Sequence, residues 1–217
     1  MPSNASQSFN NLIGFVDQLV QIHGKLQTGR GRRHEQDAIH RAGVVMTIAA
    51  WESFVEKVVM EGLDALGANA GLAAAVPVAA GAAPPAWAKH AFGLRRAELA
   101  NSIKRFNTPN AANVRDLFLE ALEFNPWPSW TWHAGPRQWN TEEMRRRLNN
   151  WLDVRHSVAH GFELPNDVQW LQGPNGRPRL TLDLVKECKA FFGRLVAQTD
   201  AEFAQHLHRH HGIPIPW

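Results

Sequence analysis

Between Val44 and Gly62 the apolar residues recur in steps of three and four: Val44, Ile48, Trp51, Val55, Val58, Val59 and Gly62. Side chains so spaced share one face of an α-helix, whereas strand residues on one face recur at every second position. The stripe predicts a long core helix, from about His34 to Leu66, that other elements must cover. The same spacing recurs at Phe9, Leu12, Ile13, Val16, Leu19, Val20 and Leu26, which predicts a first helix, broken by a short basic loop from Gly29 to Arg33. Val185, Cys188, Phe192, Leu195, Thr199, Phe203 and Leu207 predict a last helix from about Leu182 to His208.

Three further helices fit between these. One runs from about Ala86 to Phe106. A short one follows, to about Leu122, with Thr108 as its N-cap, Pro109 in its first position and Val114, Leu117, Phe118 and Leu122 on its apolar side. The third starts at Asn140 or Thr141, carries Glu142 and Glu143 in its first turn, and stops at Gly161. Trp127, Trp130, Trp132 and Trp139 stand among prolines and cannot form regular helix. Asp167 to Leu171 and Arg177 to Leu182, joined through Gly173-Pro174-Asn175-Gly176, read as a small β-hairpin before the last helix. The fold class is mainly α, one domain over 1–217, with an Ala/Gly/Pro-rich flexible connection at 67–85, holding a helical turn around Leu72 to Ala75, and a tail at 209–217.

A chain of 217 residues can bury a sizeable core without covalent staples, and Cys188, its one cysteine, permits no intrachain disulfide. Cys188 lies in an apolar stripe and reads as a buried structural thiol. There is no apolar run of membrane-spanning length, and Met1 to Gln7 lack the basic-then-apolar pattern of a secretory signal, so a cytoplasmic location is expected. A net charge of +3 and a pI near 9.4 are compatible with nucleic acid as a partner without demanding it.

The helix ending at Gly161 holds the chemistry. Met144, Leu148, Trp151 and Val158 form its apolar stripe, and Arg155 falls in the middle of it. A lone buried charge costs several kcal/mol, so Arg155 needs a buried carboxylate or an anionic ligand. Glu52 and Glu56, on the shoulder of the core helix's stripe, are the candidate carboxylates. His156 and His160, four residues apart, share a shoulder of the same helix below Asn149. The bland alternative for His160 is a simple C-cap favoured by the helix dipole. A zinc site is disfavoured because no third ligand accompanies the two histidines.

Arg155-His156-Ser157-Val158-Ala159-His160, followed by Gly161, resembles the signature of the HEPN superfamily. Trp51-Glu52-Ser53-Phe54-Val55-Glu56, Phe106-Asn107-Thr108-Pro109-Asn110 and Asn113-Val114-Arg115-Asp116-Leu117-Phe118 are similar to the RiboL-PSP-HEPN branch, so the likeness spans about Val44 to Phe203. The Ala/Pro stretch and the C-terminal histidines His206, His208, His210 and His211 stand outside the pattern, the latter reading as a solvated tail. The resemblance implies an up-and-down helical bundle and, as in many HEPN proteins, a metal-independent endoribonuclease of toxin or antiphage type acting as a homodimer with paired motifs. It implies no cofactor, RNA as substrate, and a cognate antitoxin or regulatory protein. Under it, Arg155 clamps phosphate, His160 moves the proton and His156 fills the polar position, supported by Glu52, Glu56 and Asn149. The basic runs Lys89 to Arg105 and Arg145 to Arg147, and in them Arg145, Arg146, Lys104 and Arg105, are candidates for guiding RNA phosphates, although charged helix faces are usually just solvated. The Trp-rich loop could stack bases or simply pack. The competing function is a non-catalytic HEPN dimer that binds RNA, nucleotide or a partner protein.

Overall fold

The computed structural model describes residues 1–26, 36–68, 86–104, 106, 108–135, 137–214 and 217. Among these it contains six α-helices: α1 Asn4–Lys25, α2 Asp37–Ala68, α3 Ala86–Ile103, α4 Ala111–Leu122, α5 Thr141–His160 and α6 Leu182–His211. Two short strands, β1 Trp132–Ala134 and β2 Arg137–Trp139, stand between α4 and α5. The fold is the mainly α, HEPN-like arrangement expected, with a small antiparallel hairpin ahead of the last helix. No helix of the described residues is long and apolar enough to cross a membrane.

The apolar stripe of α2 explains the architecture, because α2 packs against all five other helices. Val44, Ile48, Trp51, Phe54, Val55, Val58 and Val59 are fully covered. Gly62 completes the stripe as a gap, since a Cβ there would run into the Phe203 ring and Leu122. Helix α1 is capped by Ser3, whose side chain accepts the Ser6 N–H. The Ser3 N–H in turn donates to Asp200 Oδ2 on α6 at 3.1 Å. Cys188 is buried, and burial pushes its thiol well above the usual value.

The hairpin lies elsewhere than expected. Trp132 pairs with Trp139, His133 with Gln138 and Ala134 with Arg137. The segment read as a hairpin holds a 3₁₀ turn, Gln169–Leu171, and a single bridge between Gln172 and Pro178. Pro178 has no N–H to extend a ladder, which confines the pairing to that bridge. The cap of α4 is Asn110, not Thr108. Asn110 Oδ1 accepts the Asn113 N–H at 2.8 Å, and Pro109 stays outside the helix with its carbonyl accepting the Trp51 indole N–H at 3.1 Å.

Gly67 and Ala68 still belong to α2, while the rest of the expected connection, including Leu72 to Ala75, lies outside the described residues, as does the loop from Gly29 to Arg33. Helix α6 continues to His211 and stops at Gly212 with φ 63°. Beyond it, Ile213 is buried and Trp217 lies 6.1 Å from Phe203 between ring centres.

Candidate active site

Helix α5 positions the site, and its ends are built tightly. Asn140 and Glu143 form a reciprocal capping box: the Glu143 N–H donates to Asn140 Oδ1 at 3.0 Å and the Asn140 N–H to Glu143 Oε2 at 2.8 Å. At the other end Gly161 takes φ 71°, and the Phe162 N–H donates to the Ser157 carbonyl at 2.8 Å. The chain therefore turns away immediately after His160 and leaves that side chain at an open edge.

His156 and His160 are both exposed, with ring centres 4.4 Å apart. Phe162, 59% exposed, lies 5.8 Å from His160, nearly parallel to it, and 5.9 Å from His156. The result is a solvent-facing group of two imidazoles and a phenyl ring at the end of a core helix.

Arg155 is half-buried, at the margin of the buried face rather than in its middle. Met144, Leu148 and Trp151 are covered as expected, but beyond Trp151 the buried side continues through Leu152, Val154 and Ser157. That shift leaves the guanidinium at the surface. Its one ion pair among the described residues is with Glu52, at a long 3.9 Å. Burial raises the Glu52 carboxyl above its usual value and the Arg155 charge only partly opposes this. Glu56 is raised as well, first by burial and then by the Glu52 charge. Arg155 thus faces, in Glu52, a carboxyl whose ionisation burial disfavours, and the one long contact does not saturate its fork.

The remaining sequence candidates divide. Asn149 acts as a strut: its Oδ1 accepts the Ala111 N–H at 3.1 Å and so holds the first turn of α4 against α5. Arg145 pairs with Glu142 at 2.9 Å and covers the Trp127 ring at 3.4 Å. Arg146 is exposed and makes no ion pair among the described residues. Lys104 is exposed just beyond α3, and Arg105 lies outside the described residues. No group of three or more His, Cys, Asp or Glu side chains suited to a metal ion occurs among the described residues.

The tryptophan-rich loop packs. Trp130 is fully buried and donates to Thr199 Oγ1 at 2.9 Å, Trp127 donates to the Ala111 carbonyl at 2.9 Å, and Trp132 is buried near Phe191. His206 likewise belongs to the core. Its Nε2 donates to the Leu122 carbonyl at 2.8 Å, and burial lowers its pKa.

Arg147 is the residue that charge-pattern reasoning misplaced. It is mostly covered, paired with Glu187, and lies 3.7 Å from the centre of the Trp170 ring. Burial lowers its pKa and the Glu187 charge opposes that. Its position one turn from both Met144 and Trp151 was the available sequence signal.

A helical bundle that ends a core helix on a half-buried arginine and two exposed histidines is of the HEPN type. The RiboL-PSP-HEPN family model matches residues 4–205, nearly the whole chain, and the chain belongs to that family. Domains of this type are commonly ribonucleases or nucleotide-binding modules. Comparisons with curated proteins and with solved structures return no match.

Proposed function

We propose that this protein is a metal-independent endoribonuclease whose catalytic residues are Arg155, His156 and His160. The observation that carries the reading is the exposed pair of imidazoles, 4.4 Å apart, on the same helix end as an arginine whose one ion pair among the described residues is long. Strand cleavage by the substrate's own 2′-hydroxyl needs a base for that proton, an acid for the departing 5′-oxygen, and positive charge on the crowded phosphate. Imidazole is the side chain suited to either proton task near neutral pH, and a guanidinium fork matches two phosphate oxygens.

In this scheme an imidazole takes the 2′-hydroxyl proton and the oxygen attacks phosphorus. The bond to the 5′-oxygen breaks, an imidazolium protonates that oxygen, and the products are a 2′,3′-cyclic phosphate and a free 5′-hydroxyl. His160 is the principal proton-transfer residue, His156 its neighbour and orienter, and Arg155 the phosphate clamp. Phe162 beside the histidines offers an apolar surface that a second copy would cover, which favours a homodimer with motifs from both chains at one site. Such an activity in a cell requires restraint, so a toxin or phage-defence role with a neutralising partner protein fits it.

The test is incubation of the purified protein with mixed cellular RNA in EDTA, beside Arg155→Ala and His160→Ala variants of matched folding. Cleavage by the wild type, a loss of about a hundredfold or more in each variant, and cyclic-phosphate ends are expected. A folded dimer that binds RNA but never cuts it would move the protein to the binding-module class.

A further inference from the structure

A cavity of about 420 Å³ lies beside α5, walled by Trp139 of β2, Arg146 and Asn150 of α5, and Asp167, Gln169 and Trp170 of the following segment. Its size is that of a small-ligand site. Its chemistry is mixed: the partly covered Trp139 indole supplies a flat face, while Trp170, packed by Arg147 and Trp151, forms an apolar wall. The amides of Asn150 and Gln169 make no side-chain hydrogen bond among the described residues, so donors and acceptors remain available. Arg147 and Glu143 also border the cavity, but Arg147 is paired with Glu187 and the Glu143 carboxylate accepts the Asn140 N–H of the capping box. What is left is one cation, Arg146, and one anion, Asp167. An overall neutral, flat ligand with polar edges suits such a site better than a phosphate does.

The cavity is joined to the histidines along one ridge of the helix. Arg147, Asn150, Asp153 and His156 follow one another at steps of three, neighbours on a helical surface. Asn150 and His156 are therefore about 9 Å apart along the axis. The Asp153 carboxyl, raised chiefly by burial, also feels the charges of Asp167 at the cavity and of His156 at the site.

We propose that this cavity is a base-recognition subsite, holding an unpaired guanine next to the cleaved phosphate, with Trp139 as its stacking platform. This rests on the ribonuclease reading above. Guanine is the base that offers two acceptors, O6 and N7, on one edge and N–H donors on another, so it can meet Arg146 and Asp167 together. Stacking on an indole accepts any base, and discrimination falls to the polar edge contacts.

The experiment is an NMR titration of ¹⁵N-labelled protein with GMP, AMP, CMP and UMP, and with inorganic phosphate as control. The Trp139 and Trp170 indole signals are assigned through Trp139→Phe and Trp170→Phe. GMP is expected to move both signals saturably, at least about fivefold more tightly than UMP, and Asn150→Ala to weaken it by a similar factor at unchanged Tm. Phosphate alone giving the same shifts, equal binding of all four nucleotides, or no saturable shift would overturn the proposal. The cavity and the chemistry fail separately. Base-selective GMP binding without RNA cleavage sinks the ribonuclease and keeps a nucleotide site, whereas RNA cleavage without GMP binding sinks the subsite alone.

Discussion

Arg155 and Glu52 show how one side chain can be legible in sequence as a type and misjudged in its surroundings. The arithmetic of a straight helix puts Arg155 at the centre of the α5 stripe and names Glu52 as a partner, and the two do meet, at 3.9 Å. What helical arithmetic cannot give is where neighbouring elements stop covering a helix. The buried face moves onto Val154 and Ser157 at the open end, and Arg155 emerges half-exposed. The balance at Glu52 can be tested directly. Burial outweighs the arginine's attraction, so the folded carboxyl titrates above its unfolded value of about 4.5. Folding then binds a proton more readily than unfolding does, and this group's stabilising contribution is complete below that value and lost as pH rises through the folded one. Glu52→Gln, which is neutral throughout, should therefore raise Tm near pH 7, with the gap to wild type closing below pH 4.5. Thermal melts across pH check it. A lower Tm for the variant at neutral pH would mean that the ion pair dominates after all.

At the scale of elements, the helices were readable because each carries its own period, and the irregular segments were not because their order comes from distant partners. Trp127, Trp130 and Trp139 have no periodicity. They are ordered by a carbonyl on α4, a hydroxyl on α6, and arginines of β2 and α5. The matched family blocks have the same framework character in part: Trp51 holds the Pro109 carbonyl, and Asn110 caps α4. Arg147 is the hinge of this packing, joining α5 to Glu187 of α6 and to the Trp170 ring. Removing one member of a buried ion pair leaves the other uncompensated, commonly at a cost of about 3–5 kcal/mol. Arg137, 3.2 Å from Glu187, softens that loss, so Arg147→Ala is expected near the lower end, about 3 kcal/mol. Urea unfolding measures it, and a loss under about 1 kcal/mol would place Arg147 with ordinary surface ion pairs.

Taken as one body, the molecule gathers its core around α2 and leaves its polar motif at an open rim. The exposed Phe162 and the two imidazoles face outward, and burying them is favourable for any partner that fits. If that partner is a second copy about a twofold axis, each site draws on both chains, and base and acid come from one motif used twice. Composite sites have a property that independent sites lack: an inactive chain poisons its active partner. Wild-type protein held at fixed concentration and equilibrated with His160→Ala should lose activity in proportion to the fraction drawn into mixed dimers. The loss is about tenfold at a roughly ninefold excess if pairing is random. Arg155→Ala should poison in the same way, since it removes the phosphate clamp from the shared site. Activity that stays constant through both titrations, while a size measurement shows the chains exchanging, would mean that each chain cuts alone. The 4.4 Å histidine pair within one chain would then have to supply both proton transfers.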